Sequence, residues 1–229
     1  SLPIPPLADA PVEPVSDRAV FPESGYASLH TDVRHVERDL ALLVHATPFG
    51  SGSHRPADQG SFALFYHGKS FITPSGYFGR EYGTAHHMQY TDQTIAANAV
   101  LIDGEGQPFR DVRAVGKIVA SGEKNGVSYV RADLTAAYPM LTNYTRTFRL
   151  AGRTVIIEDA IEATRPVTVT YNLHSLAKPT LAGECARITR EDGAHTVTLA
   201  IVPLCGGLHG LRCTDRFAVD LNEGVPEEY

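Results

Sequence analysis

The stretch YTRTFRLAGRTVIIEDAIEA, residues 144–163, decides the fold. Threonine, phenylalanine, valine and isoleucine dominate it, and Ala151-Gly152 breaks it near the middle. Residues of these types suit a pleated, half-buried surface. A period of two sends one set of side chains into a core and the other toward solvent. A glycine-bearing break between two such runs reads as a hairpin. The stretch therefore predicts two antiparallel strands, 144–152 and 153–163, turning at Ala151-Gly152.

The same grammar holds outward in both directions. LALLVHA (40–46) and SFALFYHG (61–68) are buried-type apolar runs, with SFIT following the second. NAVLIDG (98–104), GKIVASG (116–122), GVSYVRADLT (126–135), RPVTVTYNLHS (165–175), HTVTLAIVP (195–203) and DRFAVDL (215–221) also read as strands. Most are bounded by Gly, Pro, Asn or Asp. The best helix candidate, TDQTIAANAV (91–100), competes with a strand reading. About ten or more strands without intervening helices imply an all-β chain, a large two-sheet antiparallel β-sandwich with few or no helices. SLPIPPLADAPVEP carries five prolines in fourteen residues. Residues 1–19 are therefore expected to form a Pro-rich lead-in, and residues 20–229 the sandwich.

Composition narrows the function. The 229 residues are 43% hydrophobic and 20% charged, as in a chain with a substantial core. The formal net charge of −6, with acidic residues scattered, argues against a nucleic-acid partner. No apolar run is long enough to span a membrane. No signal peptide is visible at Ser1, and export stays open. Cys185, Cys205 and Cys213 have neither metal-site nor disulfide-framework spacing; one late pair or free buried thiols are the open readings. Motifs for zinc proteases, nucleophile elbows, phosphate loops and dinucleotide binding are missing.

Three segments carry candidate chemistry. GSHRPADQGSF (52–62) places His54 and Asp58 four apart after a glycine-serine turn. YGTAHHMQY (82–90) has a double histidine and two tyrosines. LIDGEGQPFR (101–110) is a glycine-rich acidic turn. Each also has a plain structural reading. His54 and Asp58 would organise a turn, the tyrosines would fill the core, and adjacent His86 and His87 in a strand would point to opposite faces.

In order and spacing, PFGSGSHRPADQGSFALFYHGKSFITPSGYFG, YTDQTIAANAVLIDGEGQ, ADLTAAYP, YTRTFRLAGRTVIIEDAIEA and VTYNLHS resemble the C-terminal β-sandwich of the heparinase II/III-like polysaccharide lyases. The resemblance covers roughly residues 20–180. It implies β-elimination on a uronic acid, at a cleft between this sandwich and an N-terminal helical toroid that this chain does not contain. His54 matches the first histidine of the family's loop, and Tyr90 a tyrosine ahead of its His-Asn step. Both are the expected catalytic residues. Asp58 matches a loop aspartate and is expected to organise the loop. Asn98 matches the asparagine of the His-Asn step. Arg55, Arg80 and Arg110, with Asn98, are candidates for contacting substrate, since guanidinium forks match carboxylates. His174 is expected to be structural.

Zinc-binding members of the family place ligands at three positions that here are Pro56, Pro74 and Ala97. None carries a side-chain donor, so no metal and no other cofactor is expected. The expected partners are an acidic polysaccharide such as alginate, a glycosaminoglycan or an exopolysaccharide, and a helical toroid on the same or an associated chain. The resemblance also implies a periplasmic or secreted location. The alternative reading is a non-catalytic carbohydrate-binding or scaffolding sandwich.

Overall fold

A computed structural model describes residues 16–52, 54–76, 82–192, 195–204 and 210–219. Its first sheet is a five-stranded meander: β1 (Arg18–Phe21), β2 (Tyr26–His30), β3 (Leu40–His45), β4 (Phe62–Tyr66) and β5 (Lys69–Ile72). The second sheet joins β7 (Lys117–Lys124), β8 (Val127–Asp133), β9 (Asn143–Ala151) and β10 (Thr154–Glu162). Between them in sequence, β6 (Val100–Ile102) pairs with the later β11 (Val169–Tyr171). The last sheet is β12 (Thr180–Ala182), β13 (Cys185–Asp192) and β14 (His195–Ile201). Every pairing among them is antiparallel.

The sandwich follows from alternation. In β3, Leu40, Leu42 and Val44 are buried while Ala41, Leu43 and His45 face outward. In β9, Tyr144, Arg146, Phe148 and Leu150 are buried. The inward faces of the first two sheets meet in one core, where Phe62 and Phe148 pack edge-on at 5.8 Å. Ile188 of β13 closes it. Burying each such side chain contributes about 1.5–3 kcal/mol. A second core gathers Val100, Ile102, Leu134, Tyr138 and Tyr144 beneath the candidate loops.

The hairpin that decides the fold forms as read, with Thr154 opposite Ala151. Its turn falls one residue later than expected, on Gly152-Arg153, because Gly152 takes φ +52°. Other expectations need correction. Residues 215–219 form no strand: Phe217 packs instead on the rings of His86 and Tyr90, at 5.1 and 5.3 Å. Residues 220 and 221 lie outside the described residues. Residues 91–100 are neither a helix nor one strand. They run from a π-helical turn (His87–Thr91) through a 3-10 turn (Thr94–Ala96) into β6. Strands β1, β2, β12 and β13 were not read from the sequence at all. Arg18 and Ala19, assigned to the Pro-rich lead-in, belong to β1. Cys185 is a half-buried free thiol and Cys213 an exposed one; Cys205 lies outside the described residues.

Candidate active site

The loop between β3 and β4 doubles back on itself. Gly52 and Arg55 exchange two backbone hydrogen bonds, of 2.9 and 3.1 Å. This places exposed His54 at the apex with φ +57°, a left-handed conformation that histidine tolerates better than most residues. A buried polar network fixes the base. Gln59 Oε1 accepts from the Thr47 amide at 2.7 Å, and the Gln59 amide donates to Gln107 Oε1 at 2.8 Å. Gln107 Nε2 donates back to the Gln59 carbonyl and to Tyr138 Oη. The Thr94 hydroxyl donates to the Ala57 carbonyl at 2.6 Å and accepts the Gln107 amide. Arg146, paired with Asp159 inside the sandwich, donates to the Gly60 carbonyl at 2.9 Å.

The loop's first half is tied to the turn that carries Arg110. Ser51 Oγ donates to the Pro108 carbonyl at 2.9 Å and accepts the Asp111 amide at 3.0 Å. Arg110, itself at φ +53°, donates to Tyr82 Oη at 3.3 Å. The Tyr82 ring lies 5.9 Å from that of His54 and 4.6 Å from that of His87. His87 Nδ1 accepts the Gly83 amide, so its proton is on Nε2, 3.4 Å from Asp92 Oδ2. His54, Tyr82 and Arg110 thus gather an imidazole, a phenol and a guanidinium on exposed turns, with a buried His87–Asp92 pair behind Tyr82.

Tyr90 is placed differently. It is 5% exposed, and its hydroxyl donates to Ser75 Oγ at 3.0 Å. Burial pushes its phenol above the ordinary value, although the hydrogen bond to Ser75 works the other way. Its ring packs with His86 and Phe217, not with His54. Asn98 is fully buried. Its Nδ2 donates to the Phe62 carbonyl at 2.8 Å and its Oδ1 accepts the His174 amide at 2.8 Å. An amide so committed joins β4 to the segment after β11 and has no surface to offer a sugar. Arg55 is exposed and donates to the Phe49 carbonyl within its own loop. Asp58 pairs with His45, Oδ1 to Nδ1 at 3.2 Å, which anchors the loop to β3. Arg80 lies outside the described residues.

His86 and His87 do diverge, though for a reason other than strand geometry. They sit on the helical turn, and His86 Nδ1 donates to the Val219 carbonyl at 2.8 Å while His87 faces Asp92. The segments carrying Pro56, Pro74 and Ala97 do converge: the Ala57 amide reaches the Asp92 carbonyl and the Ser75 amide the Ala96 carbonyl, both at 2.9 Å. Proline and alanine side chains offer no donor atom, so the residues at these positions do not fit zinc.

Sequence reasoning missed Tyr82 as the tyrosine near His54, and the His87–Asp92 pair. The exposed Tyr82 and buried Tyr90 share one quoted motif. Only the π-helical turn, which swings Tyr90 inward, separates their roles.

The family model described as "Heparinase II/III-like, C-terminal" matches residues 13–210. No curated protein matches the chain. Among solved structures, a heparinase III gene product superposes with a TM-score of 0.64 at 17% identity, covering 77% of this chain and 27% of that one. Heparan sulfate lyase HepC from Pedobacter heparinus gives 0.64 at 16% identity, covering 79% and 28%. A further heparinase III gives 0.58 at 15% identity, covering 80% and 33%. The chain therefore spans about a third or less of the length of these structures.

Proposed function

The chain belongs to the heparinase II/III-like family, as its C-terminal β-sandwich domain, and from that premise we propose that it is the sandwich part of a polysaccharide lyase acting on uronic-acid-containing polymer. The observation that carries the reading is the placement of His54 beside Tyr82 and Arg110 at the head of a loop anchored in the core.

The chemistry follows from those three groups. β-Elimination needs the uronate carboxylate neutralised, the C5 proton removed, and the departing O4 protonated. The electron pair of the C5–H bond becomes the C4–C5 double bond as the C4–O4 bond breaks. Arg110 supplies a fixed positive charge for the carboxylate, aided by His54 when protonated. The exposed Tyr82 phenol and the His54 imidazole are the proton carriers on this side of the cleft. A helical toroid, on the same or an associated chain, supplies the opposite wall. Such polymers occur outside the cytoplasm, so the protein is expected in the periplasm or secreted.

The test is His54→Ala in the complete protein, following the ultraviolet absorbance of the unsaturated uronate product. Loss of at least about 100-fold in turnover, with binding retained, is expected. Normal turnover removes the catalytic reading. The second reading, a non-catalytic carbohydrate-binding module, is favoured by the prolines and alanine at the family's zinc positions. It predicts saturable binding of polyuronate and no unsaturated product from the wild-type complete protein.

A further inference from the structure

A second constellation of reactive side chains stands on the outer face of the first sheet. Ala27 and Leu29 of β2 enter the core, so Tyr26, Ser28 and His30 face outward. His30 Nε2 lies 2.5 Å from Ser28 Oγ, and His30 Nδ1 lies 2.6 Å from Asp39 Oδ2. Asp39, buried just before β3, is held at its other oxygen as well: Oδ1 accepts the Thr31 and Asp32 amides, each at 3.0 Å. Burial works to raise the Asp39 carboxyl, but the bonds from His30 and from these two amides outweigh it and keep it below the usual carboxylate range. An ionised carboxylate only accepts, so His30 Nδ1 donates to Asp39, and Nε2 is left to accept the Ser28 hydroxyl. Nucleophile, base and orienting carboxylate thus stand in hydrogen-bonded sequence, the arrangement that activates a serine.

The surroundings of Ser28 are apolar and uncharged. Across the sheet its row runs Ala19, Ser28, Leu43 and Ala63. The alanines carry no bulk beyond Cβ, and the exposed Phe21, Tyr26 and Leu43 raise an apolar rim. Ser28 itself is half-buried. The loop before β3 is already pinned by Asp39 through its bonds to Thr31 and Asp32, and the Ser28 hydroxyl adds nothing to that.

We propose that Ser28 is an activated nucleophile that takes the acyl group of an uncharged ester with a small apolar acyl chain. Ser28 Oγ attacks the ester carbonyl carbon as its proton passes to His30 Nε2. The bond from that carbon to the alcohol oxygen breaks, and the proton returns from His30 to the departing alkoxide. The products are the free alcohol and an ester on Ser28; Asp39 stays ionised and steadies the imidazolium. Water, activated by His30 in the same way, later releases the acid. Ser28 pairs with Ala19 on one side and Leu43 on the other, so its own amide is committed to the ladder and is not free for the tetrahedral oxyanion. Release is therefore expected to be slow, and the acyl group to accumulate to one equivalent. This chemistry is separate from the lyase reading, since β-elimination calls for no serine.

The experiment treats the complete protein with a short-chain alkyl fluorophosphonate and follows modification of each serine by peptide mass spectrometry. Ser28 is expected to react at least about 100-fold faster than the exposed Ser16 and Ser121, the scale of one positioned general base. His30→Gln should remove that advantage, and Asp39→Asn should reduce it by leaving the imidazole in the wrong tautomer. With p-nitrophenyl acetate, a burst of one equivalent of p-nitrophenol should accompany acetylation of Ser28, and Ser28→Ala should abolish it. The parent protein decides the matter without relying on any variant to fold. Reaction of Ser28 no faster than that of Ser16 and Ser121 overturns the proposal. So does a rate that His30→Gln leaves unchanged, or a burst that survives Ser28→Ala.

Discussion

Arg146→Ala is expected to be the most damaging single substitution in the sandwich. Arg146 Nε and Nη2 meet the two carboxylate oxygens of Asp159 at 2.7 and 3.0 Å, and both side chains are 2% exposed. Nη1 donates to the Gly60 carbonyl at 2.9 Å and the Asn98 carbonyl at 3.3 Å. Deleting the guanidinium leaves an uncompensated charge inside the core, at a cost of about 3–5 kcal/mol. Each stranded carbonyl adds to this, at roughly 1 kcal/mol or more. The total approaches the entire stability of many domains, about 5–15 kcal/mol. The double variant Arg146→Met with Asp159→Leu removes both charges. Replacing a buried pair by apolar residues is often nearly neutral, so this variant should recover most of the loss. It leaves the two carbonyls without their donor and is expected about 1–3 kcal/mol below the parent. Urea denaturation followed by far-ultraviolet circular dichroism measures all three proteins. Because the chain has no tryptophan, tyrosine fluorescence serves as the second probe. The reasoning fails if Arg146→Ala costs less than about 1 kcal/mol, or if the double variant is no more stable than the single one.

Two further substitutions separate roles that the sequence left together. In the complete protein, Tyr82→Phe should lower turnover at least about 100-fold, as loss of a proton-transfer group does. Tyr90→Phe should leave turnover near the parent's and cost about 1 kcal/mol of stability through the lost bond to Ser75; the opposite pattern would return Tyr90 to the site. A third prediction concerns pH. Burial holds the His174 imidazole below its ordinary value, only partly offset by its bond to the Ile95 backbone. The unfolded chain therefore binds a proton there before the folded one does. Stability should fall as pH drops below about 6.5, by at most about 1.4 kcal/mol per pH unit from this group. His174→Asn should flatten that limb of the urea midpoint against pH, and an unchanged slope would refute the assignment.

The fold was legible wherever one face of a strand was apolar and the other polar. Strands β3 and β4 carry runs of Leu, Val and Phe, and β9 and β10 flank a glycine turn with β-favouring residues, so they read clearly. β1 and β2 were missed because RAVF and YASLH are short and mixed, and they pair with each other and with β3 of the same sheet. DRFAVDL alternates like a strand, yet Phe217 gains more from the rings of His86 and Tyr90 than from a ladder. Of the candidate site, the turns were legible and the surroundings of the side chains were not. His54 and Arg110 stand on exposed turns marked by glycine, serine and aspartate, residue types with a turn mechanism. Tyr82 and Tyr90 were not separable, since a π-helical turn leaves no local signature that distinguishes its buried face from its exposed flank. Asn98 and Arg146 carry polarity that suggests function, but they are committed to structural partners elsewhere in the chain: the Phe62 carbonyl and His174 amide for Asn98, and Asp159 and the Gly60 carbonyl for Arg146.

The loop that presents His54 explains why so much polarity lies beneath it. A left-handed non-glycine residue costs about 1–3 kcal/mol and persists only where its surroundings over-determine it. Proline and alanine stand where the resemblance places zinc ligands, and they supply no such constraint through a side-chain donor. Side-chain anchors from four separate segments do. Gln107 grips Gln59 on both its amide and its carbonyl. Thr94 holds the Ala57 carbonyl, Arg146 holds the Gly60 carbonyl, and the His45–Asp58 pair closes the side toward β3. Gly60 itself admits no side chain, because a Cβ there would stand 2.4 Å from Leu134 Cδ1. Each bond is worth roughly 1 kcal/mol, and together they exceed the strain at His54. The loop's geometry is therefore set by the core of the sandwich, which holds His54 beside Tyr82.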